Sequence, residues 1–156
     1  KKTGLPNREK LNIYIGEMAG KVLPEAFTCF TLSLDNLSEL TKRFGYTVGD
    51  GVLKDFAGLV QLMGDTEGMR GYNGVGRFVV FFEECSSKKA AAMIRILDNQ
   101  VEEYNSLNPE YPIRYTAAWA TTEETDTYEI RELLRLSQKK WKQMEKEKKD
   151  KTEEET

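Results

Sequence analysis

The segment Gly74-Val75-Gly76 followed by RFVVFFEE (77–84) constrains the chain more than any other. An aromatic, β-branched run of that length reads as a buried strand, and the glycines before it read as a hairpin turn. A hairpin fixes two neighbouring strands antiparallel. Around it the hydrophobic period switches between helical and strand-like values. Residues 7–22 place Leu11, Ile15, Met18 and Val22 on one helical face, with Asn7 as N-cap and Pro24 as the stop. FTCFTLSL (27–34) reads as a buried strand. Residues 36–44 form a short helix ended by Gly45, and residues 48–63 a second helix with Val52, Phe56 and Val60 facing inward. A helix over 86–107 with Ser86 at its start, a strand over 112–121 and a last helix from Tyr128 to about Lys149 complete the order. With the first helix set aside, this is a βαββαβ core. The expected fold class is α+β, an antiparallel sheet with flanking helices mainly on one face. Residues 1–149 are expected to form a single domain and residues 150–156 a charged, disordered tail.

Composition narrows the chemistry. The 156 residues contain no histidine, which removes imidazole acid–base catalysis, His-dependent nucleophile systems and imidazole metal sites. Net charge is −3, so no basic face is implied and nucleic acid is not an expected partner. Residues 139–156 hold seven Lys and six acids, a mixed-sign solvated helix rather than a nucleic-acid arm. Cys29 and Cys85 are too few and too far apart for a disulfide framework or a zinc site, and a reducing cytoplasm is the plain expectation. No apolar run approaches 18 residues, so no membrane contact is expected from this segment. The opening Lys-Lys-Thr-Gly is not a signal peptide and reads like a cut from a longer chain.

Four motifs follow one another at fixed spacing. Thr3-Gly4-Leu5-Pro6-Asn7-Arg8 opens the chain. An apolar strand follows, then Gly45-Tyr46-Thr47-Val48-Gly49-Asp50 with Leu53, then Gly74-Val75-Gly76-Arg77-Phe78. This succession resembles the GGDEF family of bacterial diguanylate cyclase domains over residues 3–149. The resemblance implies a palm-like domain, similar to nucleotidyl cyclases, in which two facing copies join two GTP molecules into cyclic di-GMP. In-line attack on an α-phosphate there needs divalent ions held by carboxylates.

By the same resemblance most of those carboxylates are missing. The first metal-binding position is Ser33, and the second aspartate is Asp35, which an extended chain places on Ser33's face. The signature turn is degenerate: Gly74, Val75, Gly76, Arg77 and Phe78 stand where active members carry Gly-Gly-Asp/Glu-Glu-Phe. Both acidic positions are lost, to Gly76 and Arg77. Val75 replaces a glycine, and a β-branched residue resists positive φ. The guanine-contacting pair falls on Thr41 and Lys42, while Asp50 survives. The phosphate-contacting lysine aligns on Glu145, beside Lys146. The inhibitory product site falls on Asp65 and Gly68 and matches at neither end. In the last strand only Thr116 is kept.

The vestigial nucleotide-binding set is therefore Asp35, Asp50, Gly74 and Gly76, with no catalytic residue and no metal ligand assigned. Each has a plainer role too. Asp50 suits the start of a helix, Asp35 with Asn36 suits an N-cap, and the glycines suit any hairpin. Arg77 is free to pair with Glu83, Glu84 or a partner's acid. Tyr115 and Trp119 read as sheet-face residues. The expectation is a catalytically inactive regulatory or protein-interaction module of a larger signalling protein. Its expected partners are that protein's other domains, another protein, or a second copy. Two alternatives stay open: a sensor binding a GTP-like nucleotide without chemistry, and a residual cyclase or hydrolase using Asp35, Asp50 and Asp55. No cofactor is expected; Mg2+ enters only with residual nucleotide binding.

Overall fold

A computed structural model describes residues 3–64 and 68–155. Asp65, assigned above to the inhibitory site, lies outside the described residues. The chain runs α1 (Arg8–Met18), β1 (Thr28–Leu34), α2 (Leu37–Phe44), α3 (Tyr46–Gln61), β2 (Gly68–Gly74), β3 (Arg77–Phe82), α4 (Ser87–Leu107), β4 (Tyr115–Thr121), a single turn α5 (Thr122–Thr125) and α6 (Ile130–Glu155). The four strands form one antiparallel sheet in the order β2-β3-β1-β4. This is the α+β palm-like sheet with flanking helices.

The helices cover both faces of that sheet rather than mainly one. Phe30, Leu32, Leu34, Phe78, Val80 and Phe82 pack with α3 and α4 residues such as Phe56, Val60 and Leu97. Cys29, Val79 and Phe81 face the other way, onto Leu11 and Ile15 of α1 and Ile130 and Leu133 of α6. All seven residues of β1 are buried. Its second face is Cys29, Thr31 and Ser33, small and polar, which is why the covering helix is hard to read from the strand.

Helix starts follow the expected caps where a side chain does the capping. Asn7 accepts the Lys10 amide at 3.0 Å, and Ser86 accepts that of Lys89 at 3.2 Å. The first helix ends at Met18, not near Pro24, because Gly20 at φ +84° turns the chain; Val22 is left 85% exposed. The last helix starts at Ile130 rather than Tyr128. It continues past Lys149 through residues 150–155, which composition alone read as a tail. A Lys149–Glu145 pair at 3.7 Å is one i,i+4 contact along it. Among the described residues no helix is long and apolar enough to cross a membrane.

Candidate functional site

The signature turn is a two-residue hairpin loop. Gly74 pairs with Arg77 across it, and Val75 and Gly76 both take positive φ, at +55° and +73°. Val75 therefore adopts the backbone that its branched side chain resists, at the tip of the turn and 85% exposed. Gly76 is buried against β1. Its carbonyl accepts the Leu34 amide at 2.7 Å, and its own amide donates to the Tyr72 hydroxyl at 2.9 Å. Arg8 of the opening motif donates to the Asn73 carbonyl at 2.7 Å, so the first and last family motifs meet at the turn.

The strand register then lines up three positions. Ser33 in β1 is the direct neighbour of Arg77 in β3 and of Thr116 in β4. On an antiparallel sheet direct partners share a face. Above this row comes α6, whose Ile130, Leu133, Ser137 and Trp141 recur at helical spacing. Ser137 and Thr31 hydroxyls are 2.7 Å apart. The Trp141 indole donates to Ser33 Oγ at 2.7 Å, and the Arg77 guanidinium stacks 4.7 Å from the centre of the same ring. Arg77 thus finds an aromatic face, not Glu83 or Glu84.

Asp35 closes the network. Ser33 Oγ donates to its Oδ1 at 2.6 Å, and Thr116 Oγ1 donates to its Oδ2 at 2.5 Å. Lys148, two turns beyond Trp141, donates to the Tyr115 carbonyl at 2.7 Å and to Thr116 Oγ1 at 3.1 Å. Asp35 shares Ser33's side as expected, but it does not cap α2. The cap residue is Asn36, and even its side chain bonds elsewhere: it donates to the Pro112 carbonyl at 2.7 Å and accepts the Arg114 amide at 3.2 Å. Beside Asp35 is a cleft of about 810 Å³ lined by Glu39, Arg114, Tyr115, Glu145 and Lys148 among others. Burial, with the Asp98 carboxylate bonded to it, raises the Tyr115 phenol far above its usual range.

Asp50 is not at a helix start. Gly45 ends α2 and begins α3, so the helix starts at Tyr46 and Asp50 lies a turn inside it. Asp55, also on α3, accepts the Tyr104 hydroxyl of α4 at 2.7 Å. Among the described residues no three or more Asp, Glu, His or Cys side chains come together to hold a metal ion. At the turn and strand end the fit to a divalent ion is poor on direct grounds. Such an ion needs several anionic oxygens. The Asp35 carboxylate already accepts two hydroxyl protons, the Lys148 ammonium bonds to Thr116 beside it, and Arg77 brings a guanidinium to the position opposite Ser33.

Sequence reasoning missed Trp141 and Lys148. The available signal was the helical face itself: Trp141 continues the 130, 133, 137 series, and Lys148 follows it by seven residues. A gapless alignment stopped at Glu145, which lines the cleft but pairs with Lys149. Tyr115 and Trp119 are sheet-face residues as expected, packed on Phe56 and Phe30 respectively. Gly68 opens β2, where an added Cβ would lie 2.4 Å from the Phe81 carbonyl oxygen.

A family model described as "Diguanylate cyclase, GGDEF domain" matches residues 1–151. No curated protein matches the chain. Among solved structures, the active GGEEF domain of a diguanylate cyclase from Vibrio cholerae is similar at a TM-score of 0.75 and 19% identity, covering 92% of this chain and 93% of that one. A diguanylate cyclase/phosphodiesterase from Caldicellulosiruptor saccharolyticus is similar at 0.72 and 18%, covering 94% and 86%. The S helix-GGDEF-EAL portion of Vibrio cholerae LapD, bound to c-di-GMP, is similar at 0.62 and 13%, covering 77% of this chain but 27% of that one.

Proposed function

The chain belongs to the GGDEF, diguanylate cyclase, family, and from that premise we propose that it is a degenerate member, silent as a cyclase, working as a regulatory or protein-interaction module of a larger bacterial signalling protein. One observation carries the proposal. Where the family holds metal, Ser33, Asp35 and Thr116 bond to one another and to Trp141 and Lys148, and Arg77 covers the indole. A phosphoryl-transfer site must gather divalent cations around a polyphosphate. Here the Asp35 carboxylate is already hydrogen-bonded, Lys148 bonds to Thr116 beside it, and Arg77 stands opposite Ser33. The site has exchanged metal-borne charge for protein-borne charge, and with it the means to activate a 3′-hydroxyl.

The module would act in the cytoplasm beside other domains, as the GGDEF unit of LapD is one part of a longer chain. A second copy is the other partner of this proposal. The open cleft of about 810 Å³ beside Asp35 favours a second reading, a sensor holding a GTP-like nucleotide without chemistry.

The test is synthesis of cyclic di-GMP from GTP with Mg2+ or Mn2+ at high protein concentration. No product above the no-enzyme control is expected. Product that Asp35→Ala abolishes would overturn the proposal. The combined variant Ser33→Asp, Gly76→Asp, Arg77→Glu is also expected to stay inactive, because the buried Trp141 indole still lies against position 33 and a Cβ at Gly76 lies 3.1 Å from the Leu34 carbonyl oxygen. Activity of that variant would instead mark a cyclase silenced only in its metal ligands. Thermal stabilisation of the unaltered protein by GTP would select the sensor over the interaction module.

A further inference from the structure

We propose that the cavity between the turn and α6 is a binding site for a compact phosphorylated anion. It measures about 390 Å³ and shares no lining residue with the Asp35 cleft. Its charged lining residues are all cations: Arg77 from β3, and Arg135, Lys139 and Lys142 from α6, with Trp141 and Asn73 between them. The helix contributes these at i, i+4 and i+7, one row on one face. Like charges at such spacing destabilise a helix. Glu132 answers one of them through its bond to Arg135. Among the described residues no acid lines the cavity to answer the others, although the chain as a whole carries −3. A concave site lined by one sign of charge focuses field and concentrates counter-ions.

The residue types favour phosphate over a halide or an isolated carboxylate. A guanidinium presents a planar fork suited to phosphate oxygens, and lysines add mobile point charges around it. Arg77 is already oriented, stacked on Trp141 at 4.7 Å, so little side-chain freedom is lost when it binds. The volume is within the range of small-ligand pockets and suits a compact ligand better than an extended chain. The replacement that removes an acid from the signature turn therefore supplies this cavity with one of its cations. The inference holds whether or not the domain retains any cyclase activity.

The probe is inorganic pyrophosphate, titrated calorimetrically and by thermal shift into the whole chain, in low salt with EDTA present. Saturable binding without a divalent ion is expected. Lys139→Glu with Lys142→Glu should weaken it at least tenfold, whereas Lys148→Ala, in the other cleft, should leave it unchanged. Arg77→Gln, read the same way, covers the case in which the double variant does not fold. The proposal is overturned by absence of saturable binding, by binding that survives the charge reversals, or by equal loss in Lys148→Ala. A response to a polyglutamate peptide with none to pyrophosphate would overturn it in favour of a protein-docking surface.

Discussion

Val75 holds φ +55° with its side chain 85% exposed, so strain at the turn is not offset by packing. A left-handed backbone costs a residue with a Cβ about 1–2 kcal/mol, and asparagine tolerates it better than a β-branched residue does. Val75→Asn, which creates the Asn-Gly pair that a two-residue hairpin prefers, should therefore stabilise the domain by about 0.5–1 kcal/mol. A raised urea midpoint at unchanged m-value would show it; an unchanged or lowered midpoint would mean that Val75 makes a contact outweighing its strain. Ser33 is the opposite case, a small polar residue with two jobs. Ser33→Ala strands the buried Trp141 N–H and removes one of the hydroxyls bonded to Asp35, a loss of about 1–3 kcal/mol. Combined with Trp141→Phe, the two changes should couple by about 1 kcal/mol in a double-mutant cycle. Simple additivity would refute the network.

Between elements, α2 and α3 approach closely at Gly49. A Cβ on Gly49 would lie 2.3 Å from Thr41 Oγ1 and 3.3 Å from Thr41 Cβ. That contact is the physical reason for glycine in the Gly45-to-Asp50 motif, and it involves Thr41, on which the resemblance aligns a guanine-contacting position. Gly49→Ala should cost about 1–3 kcal/mol by overpacking, and Thr41→Ala should recover part of that loss. Denaturation curves for the single and double variants decide it; a neutral Gly49→Ala would place the helices further apart than described. Existence and type of every long element were legible from periodicity, as were the Asn7 and Ser86 caps. The start of α3 was not. Tyr46 and Thr47 carry no capping side chain, and what begins the helix is the backbone of Gly45 at φ +90°.

At the scale of the whole molecule, burial makes several tyrosines and cysteines resist titration. Burial raises the Tyr14 phenol and the Cys29 thiol to about 12, and raises Tyr104, Tyr115 and Cys85 as well, with Asp55 and Asp98 adding to the two helix-tethering tyrosines. Each group is neutral when protonated, and the native state holds its proton to higher pH than the unfolded chain. Their contribution is fully present below the unfolded values, about 8.5 for Cys and 10 for Tyr. It declines as pH rises through and beyond them toward the folded values, because the unfolded chain binds fewer protons. With no histidine in the chain, no imidazole titrates near neutrality. Urea midpoints measured from pH 7 to 11 should fall progressively above about pH 9. A midpoint independent of pH across that window would contradict the burial of these groups.

The features legible before folding are local. The aromatic run 77–84 had to be a strand, the glycines around Val75 had to turn it, and Ser33, Gly76 and Arg77 could not supply carboxylates. Those conclusions depend on residue type and on spacing of a few positions, which the chain fixes before it folds. The tertiary structure decided what replaced the lost acids. Arg77, Ser33 and Thr116 are far apart in the chain and become neighbours through strand register alone. Trp141 and Lys148 reach them from a helix whose surrounding residues are charged and ordinary in composition. Hydrogen bonds and stacking act over a few ångströms, so which residues share a site depends on register and on helix placement over the second sheet face. Neither quantity is written in any one segment.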